Sequence, residues 1–337
     1  MEIVPLEKKP ADWDEEISKF DSKTLFHETP WLEHIQSIHP KGRLRFFEII
    51  EEGRRQGYLC ALHVRKAVLN IYGSPLGGTG TNYMGPVVNR DIDQNSLAHA
   101  LRTFTKRSPL THLELTNDVL ETEKMLSHGF ELHPGVTHML ELSGNEGDAW
   151  SQLKSVCRNR IRKAEKNQLE VEVTEDLSLA DEYYEQFIEV YGKQGMITPF
   201  GPERPRSLMQ CLVPAKRILP LRIIHQGETV ATGLFPYDEN SIYFWGAASW
   251  LGHHKLCPNE LLHWEVIKFA ISRSIPRYNM CGGTSQFKDK FGGSDVPYNH
   301  YSISSVPMMK QARTLYSKAH FLKLQALGLF KTRGIKK

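Results

Sequence analysis

The sequence predicts an α/β (α+β) protein built from two copies of one mixed unit, each a mostly antiparallel sheet flanked by helices, and three observations carry that expectation. The order of elements repeats: in each half a strand and two helices precede three strands in succession, a loop, a helix, a strand, a short helix and a closing strand. Phe47-Glu48-Ile49-Ile50-Glu51-Glu52-Gly53 aligns with Leu221-Arg222-Ile223-Ile224-His225-Gln226-Gly227, and each is followed by an apolar strand. Leu69-Asn70-Ile71-Tyr72-Gly73-Ser74 sits where Ile242-Tyr243-Phe244-Trp245-Gly246-Ala247 sits, and 337 residues suffice for two cores.

The first copy opens with a short strand over Glu2 to Glu7. Pro10 and Asp12 suit a helix first turn, giving a helix to about Phe20. Leu32, Ile35 and Ile38 at three-residue spacing mark a helix from Thr29 that Pro40 stops. Strands follow at Leu44 to Ile50, Gly57 to Val64 and Val68 to Tyr72, joined by the polar turns Glu51-Glu52-Gly53 and Arg65-Lys66. After the glycine-rich stretch Gly73 to Gly80 come a helix from Asn95 to Arg107, a strand His112 to Leu115, a helix Leu120 to Ser127 and a strand Thr137 to Leu142.

The second copy begins after a segment, Trp150 to Lys166, that reads as one helix carrying Arg158, Arg160, Arg162, Lys163 and Lys166. Helical spacing puts Arg158 and Arg162 one turn apart on one face, which serves either as a solvated charged surface or as an anion clamp. A strand Leu169 to Val173, helices Leu179 to Tyr191 and Arg206 to Lys216, and strands Pro220 to His225, Thr229 to Phe235 and Ser241 to Trp245 follow. A helix Asn259 to Ser272, a strand Tyr278 to Cys281, a short helix Gln286 to Phe291 and a strand Tyr301 to Val306 complete it.

Composition excludes several classes. With 40% hydrophobic and 24% charged residues the chain reads as an ordinary globular protein. Its first residues lack a basic stretch ahead of an apolar core, and no run of apolar residues is long enough to span a bilayer, so a cytoplasmic location is expected. Five scattered cysteines without CxxC spacing argue for reduced thiols. The net charge of +3 is uneven: no acidic residue follows Asp295, and the tail holds eight lysines and arginines. In that tail Ala312, Leu315, Ala319, Leu322, Ala326 and Leu329 form an apolar stripe on a basic helix. Docking of the stripe onto the first unit is expected, and the basic face suits peripheral contact with an anionic membrane at its inner face.

A set of segments in fixed order then resembles the Fem family of peptidoglycan bridge-forming transferases and the BioF2-like acetyltransferases of the GNAT superfamily. They are Arg158-Asn159-Arg160-Ile161-Arg162-Lys163, Val230-Ala231-Thr232-Gly233-Leu234-Phe235, Tyr243-Phe244-Trp245-Gly246-Ala247-Ala248-Ser249, Pro258-Asn259-Glu260-Leu261-Leu262 and Cys281-Gly282-Gly283…Phe287-Lys288-Asp289-Lys290-Phe291-Gly292-Gly293. The resemblance implies tandem GNAT-like domains, 1–145 and 146–306, with a basic C-terminal helix over 307–337 returning to pack on the first. It implies an N-acyltransferase moving an acyl or aminoacyl group to an amine of a cell-envelope precursor, whether peptidoglycan, polysaccharide or lipid-linked.

That chemistry needs a deprotonated amine and donors aimed at the tetrahedral oxyanion. The Phe-Lys motif implies Lys288 as the catalytic lysine, with Lys290 as its competitor, since residues two apart on a helix face different sides. Arg158 and Arg162 are the expected phosphate ligands, Tyr243, Trp245 and Asn259 the cleft lining, and Gly282 and Gly283 the close backbone approach. No tightly bound cofactor is expected; the co-substrate is an acyl-CoA or an aminoacyl-tRNA. The second copy lacks a glycine run before its helix, which weakens CoA, and lacks room between Arg162 and Arg222 for a long helical hairpin, which makes tRNA the less expected partner. The expected acceptor partner is a small-molecule or lipid-linked glycan precursor. His253, His254, Cys257 and His263 fit no standard metal spacing, so no metal is expected. The competing classes are a non-catalytic GNAT scaffold holding a glycan precursor or protein partner, and a nucleic-acid binder, the latter disfavoured because the body of the chain is net acidic.

Overall fold

The computed structural model describes residues 1–142 and 144–306, which fall into two compact units. Among the described residues, one comprises Met1–Gly135 with 297–306, and the other is Val136–Val296. The tail over 307–337, expected as a basic helix, lies outside the described residues.

In the first unit, β1 (Glu2–Pro5) leads to α1 (Trp13–Ser18), whose Trp13 and Ile17 recur at four-residue spacing and are both buried. Trp13 meets Phe46 and Tyr58 edge to face, 5.0 and 5.2 Å between ring centroids. The next helix, α2 (Thr29–Ile38), takes Pro30 in its first turn and buries Trp31, Leu32 and Ile35. The meander β2 (Gly42–Glu51), β3 (Arg54–Lys66) and β4 (Leu69–Ser74) is antiparallel, and β5 (Pro86–Val88) adds to β3. Asp93 caps α3 (Gln94–Lys106) by accepting from the amides of Asn95 and Ser96 at 3.2 and 3.1 Å. The crossover through α3 makes β6 (Thr111–Thr116) parallel to β4. Then α4 (Thr122–Ser127) and β7 (Glu131–Glu141) carry the chain onward. Ile49, Leu59, Leu101, Leu113 and Leu115 form the centre of this core.

In the second unit the expected single helix from Trp150 to Lys166 is two helices, α5 (Glu146–Gln152) and α6 (Ser155–Lys166). Leu153 and Lys154 adopt extended backbone, with ψ of 138° and 149°, which frees the Lys154 amide to bond the Lys290 carbonyl at 2.9 Å. Next come β8 (Glu170–Val173), α7 (Leu179–Lys193), α8 (Glu203–Leu212), β9 (Ile218–His225) and β10 (Glu228–Pro236). The expected strand Ser241 to Trp245 divides into β11 (Ile242–Tyr243) and β12 (Gly246–Ser249). A further helix, α9 (Pro258–Ser272), precedes β13 (Arg277–Gly282), α10 (Gln286–Asp289) and β14 (Ser294–Ser304). From His300 to Ser304, β14 belongs to the first unit and pairs antiparallel with β6.

Two sheets build the second unit. One has the order β12-β10-β9-β8; in the other, β13 lies between the Thr137–Glu141 part of β7, antiparallel, and β11, parallel. Leu261, Leu262, Val266, Ile267 and Ala270 of α9 are buried with Leu221, Ile223, Val230 and Phe235, so this helix is core on nearly every side. Among the described residues no helix is long and apolar enough to cross a membrane.

Three buried histidines make the fold acid-sensitive. Burial pushes the His263 pKa down to about 3, and those of His27 and His300 to about 4, His300 also feeling His133 and His112. Between these values and the ordinary value near 6.5, the unfolded chain binds more protons than the folded one, so stability rises with pH there and falls as pH drops. Each tenfold difference in proton affinity between the folded and unfolded chain is worth about 1.4 kcal/mol, so the expected loss from pH 7 to pH 4 is several kcal/mol. Urea unfolding midpoints measured across that range check it, and a flat profile contradicts it.

Candidate active site

The site starts from one interrupted strand. β11 pairs parallel with β13 in one sheet, whereas β12, three residues on, pairs antiparallel with β10 in the other. The switch occurs at Phe244 and Trp245: the Phe244 amide still bonds the Asn279 carbonyl at 2.9 Å, and the Trp245 amide turns back to the Tyr243 carbonyl at 3.0 Å. Past this point β12 and β13 belong to different sheets and do not pair, so the ladder is interrupted by a gap between them. Such gaps accept an extended substrate through main-chain hydrogen bonds.

On the β13 side of the gap, Cys281, Gly282 and Gly283 all have left-handed backbone, with φ of 54°, 33° and 72°. Cys281 is the costly one, since a residue with a side chain is disfavoured in this region by about 1–2 kcal/mol. Asn279 holds it there. Its buried Oδ1 accepts from the Cys281 amide at 2.8 Å and from the Thr137 hydroxyl at 2.5 Å. The turn aims three successive carbonyls at one point, and the ammonium of Lys288 occupies it, donating to Cys281, to Gly282 at 2.9 Å and to Gly283 at 2.8 Å. All three N–H donors of the lysine are therefore used. Lys288 is only 8% exposed, and burial lowers its pKa while the neighbouring Cys281 and Asp295 act in the opposite direction. The residue is placed by α10, whose amide at Lys288 bonds the Ser285 hydroxyl at 3.3 Å.

Lys290 is buried as well, in a different setting. It donates to Glu260, whose same oxygen receives Arg160 at 2.9 Å, and its ammonium lies 4.3 Å from the centroid of the Phe287 ring. The two lysines thus diverge as their spacing requires, but both are inside: one fastens the Cys281–Gly283 turn, and the other closes an ion triad at the first turn of α9.

The other expected site residues fall in three places. Arg158 turns back onto the end of α5, donating to the carbonyls of Leu153, Ser151 and Trp150, so it serves as a helix C-cap. Arg162 lies over the Trp150 ring at 5.4 Å. The α6 arginine that reaches the ion triad is Arg160. Tyr243 is buried, 4% exposed, behind the gap. Asn259 donates to the Ser249 hydroxyl at 3.0 Å and ties α9 to the end of β12, while Trp245 is half-buried at the gap itself.

Beside Trp245 stands an aromatic wall that sequence spacing alone did not single out. Tyr183, Phe187 and Tyr191 recur every four residues along α7, and Phe187 stacks on Phe200 with 5.0 Å between centroids and 13° between planes. Phe200 and Tyr183 lie 5.8 and 6.0 Å from Trp245, and Arg204 covers the Phe200 ring at 4.8 Å. Gly246 makes this packing possible, since a Cβ there would lie 2.3 Å from the Tyr183 hydroxyl. The i, i+4, i+8 aromatic stripe is the signal that was available in the sequence.

A strand divided between two sheets, followed by a helix beneath the opening, places the second unit in the GNAT class of folds. Residues 151–289, within the second unit, match the family described as the acetyltransferase (GNAT) domain. The fold is similar to that of FemX, whose structure superposes with a TM-score of 0.70 at 13% identity, covering 89% of this chain and 97% of the other. L-PGS from Bacillus licheniformis matches with a TM-score of 0.56, 11% identity, 92% of this chain and 96% of that one. A tandem GNAT protein from the clavulanic acid biosynthesis pathway matches at 0.54, with 13% identity and coverage of 91% and 99%. No curated protein matches the sequence. The expected tandem GNAT fold stands, and the expected Fem-like resemblance agrees with the superposition on FemX at the level of the fold.

Proposed function

We propose that the chain is an N-acyltransferase that carries an acyl or aminoacyl group to the amine of a cell-envelope precursor, working at the gap between β12 and β13. The observation that carries this reading is the Cys281–Gly283 turn, fixed by Lys288 and Asn279 at the mouth of an opened strand pair in a GNAT domain. The donor's carbonyl lies along the gap, and the neutral amine attacks it. The new N–C bond forms as the C–O or C–S bond of the donor breaks, and the amine proton leaves with the departing oxygen or sulfur. Lys288 acts as a buried positive charge beside the developing oxyanion and as the clamp that keeps the turn in shape. The acceptor class is supported by two proteins of this fold: FemX, and a putative lysylphosphatidylglycerol synthetase whose name joins lysine to a membrane lipid.

The first turn of α9 bears on the donor. Glycine-rich GNAT sites hold a pyrophosphate on free helix amides. Here Pro258 removes one amide, and the Glu260 carboxylate already occupies the positive end of the helix together with Lys290 and Arg160. A donor gripped elsewhere than at this helix, such as an aminoacyl ester, fits better than acyl-CoA gripped by its pyrophosphate. Parallel assays with acyl-CoA and aminoacyl-tRNA on amine-bearing envelope precursors test it: transfer from neither removes the enzymatic reading.

The aromatic wall is the expected seat of substrate rather than of chemistry. Phe200→Ala and Trp245→Ala are each expected to raise KM by about tenfold with a smaller change in kcat, the pattern of lost ground-state binding. Steady-state kinetics with both variants checks this, and a kcat loss at unchanged KM contradicts it.

A further inference from the structure

We propose that the group transferred at the β12–β13 gap carries an extended apolar chain and that the aromatic wall of α7 is the track on which this chain lies, an inference that rests on the transferase reading above and adds the class of acyl group. The rings form a sequence that starts at the gap. Trp245 stands at the switch between the two sheets, Phe200 follows at 5.8 Å, Phe187 stacks on Phe200 at 5.0 Å, and Tyr191 lies 4.4 Å from Phe187. All four are half-buried, so each keeps some apolar surface toward water. From Tyr183, which packs against Trp245, to Tyr191 the helix rises by about 12 Å at 1.5 Å per residue, far more than a two-carbon group covers.

The far end of the track is open. Ile188, three residues before Tyr191 on α7, is 49% exposed. Met196, whose amide bonds the Tyr191 carbonyl at 3.0 Å, is 48% exposed. Single exposed apolar residues need no explanation, but here two of them prolong a run of rings, and adjoining apolar surface of this kind marks a place where an apolar partner binds.

Three occupants compete for such a surface, and its position and charge select among them. Continuity with the gap favours a group whose reactive end is itself held at the gap. An anionic lipid surface is disfavoured, since Glu185, Glu189 and Glu203 on this stretch outnumber Lys193 and Arg204. A second copy of the chain gives no reason for the rings to begin where β11 and β12 part. An apolar chain also agrees with the first turn of α9, where Pro258 and Glu260 stand in place of free amides for a pyrophosphate: burial of the chain on the rings supplies the grip instead.

The test measures binding rather than turnover, with N-butanoyl-, N-heptanoyl- and N-decanoylglycine titrated calorimetrically into the full chain. Affinity is expected to rise about twofold to fourfold per added methylene, so that the decanoyl probe binds at least about fiftyfold tighter than the butanoyl one. Phe187→Ala and Phe200→Ala are expected to cut that rise by about half or more. Because truncating rings inside a packed wall can unsettle the fold, Ile188→Ser and Met196→Ser, at exposed positions, form a second pair. They are expected to weaken the decanoyl probe by about threefold and to leave the butanoyl probe unchanged. Equal affinity for the three probes overturns the proposal, and so does a rise per methylene that all four variants retain. Saturable binding to phosphatidylglycerol vesicles, or self-association, that Met196→Ser abolishes also overturns it and gives the face to a membrane or to a second copy. Transfer to an envelope precursor is read separately, by the mass of the precursor, so loss of the track and loss of the transferase reading are distinct results.

Discussion

Lys288→Ala is expected to lower kcat by about a hundredfold or more, on the scale of losing preorganised electrostatic stabilisation of an oxyanion, with only a small loss of stability. The reason for the split lies in the contacts. The three carbonyls that Lys288 gathers belong to a turn whose Gly282 is exposed, so water satisfies them when the ammonium is gone and the fold survives. What is lost is the charge and the fixed shape of the turn. Lys288→Arg is expected to fail as a rescue, because a planar guanidinium cannot converge on three carbonyls as an ammonium does. Measured by steady-state kinetics beside urea unfolding, unchanged turnover in the alanine variant removes this lysine from the mechanism.

Glu260→Ala is expected to have the opposite signature, a large loss of stability. Glu260 and Lys290 are 5% and 9% exposed at their side chains, and removing the carboxylate leaves a buried ammonium without its partner, at a cost of about 3–5 kcal/mol. Arg160 contributes little to that loss, since half of its side chain is in water and it resolvates. Lys290→Met is expected to cost much less, because Glu260 keeps Arg160 and the thioether packs against Phe287. The change in unfolding midpoint at constant m checks both. Equal stability of Glu260→Ala and wild type contradicts the triad as a structural element.

These two contrasting expectations also show how far the sequence reaches. The α2 boundaries, the β2–β3–β4 meander and the Asn259 to Ser272 helix were legible because apolar spacing and proline positions act locally. The break at Leu153 was not: no glycine or proline marks it, and the cause is the bond from the Lys154 amide to Lys290, far along the chain. The division of β11 from β12 escaped for the same reason, since a run of aromatic and apolar residues gives no hint that its two ends pair with different sheets. At the proposed site, the segment Cys281 to Gly293 was singled out by its resemblance to the Fem pattern and not by its glycines and lysines alone, and the divergence of Lys288 from Lys290 follows from helical geometry. Their partners were invisible. Glu260, Arg160 and Asn279 act through contacts that only the fold creates, and Arg158, expected on a phosphate, finds the end of its own preceding helix first.

The most direct test of transfer at the β12–β13 gap is mass spectrometry of amine-bearing envelope precursors incubated with the protein and either aminoacyl-tRNA or acyl-CoA, with Lys288→Ala run alongside. The expected result is a precursor heavier by one acyl or aminoacyl group in the wild-type reaction and little or none in the variant. A precursor that the wild-type protein retains but never modifies, with either donor, would contradict the reading and leave a binding module in its place.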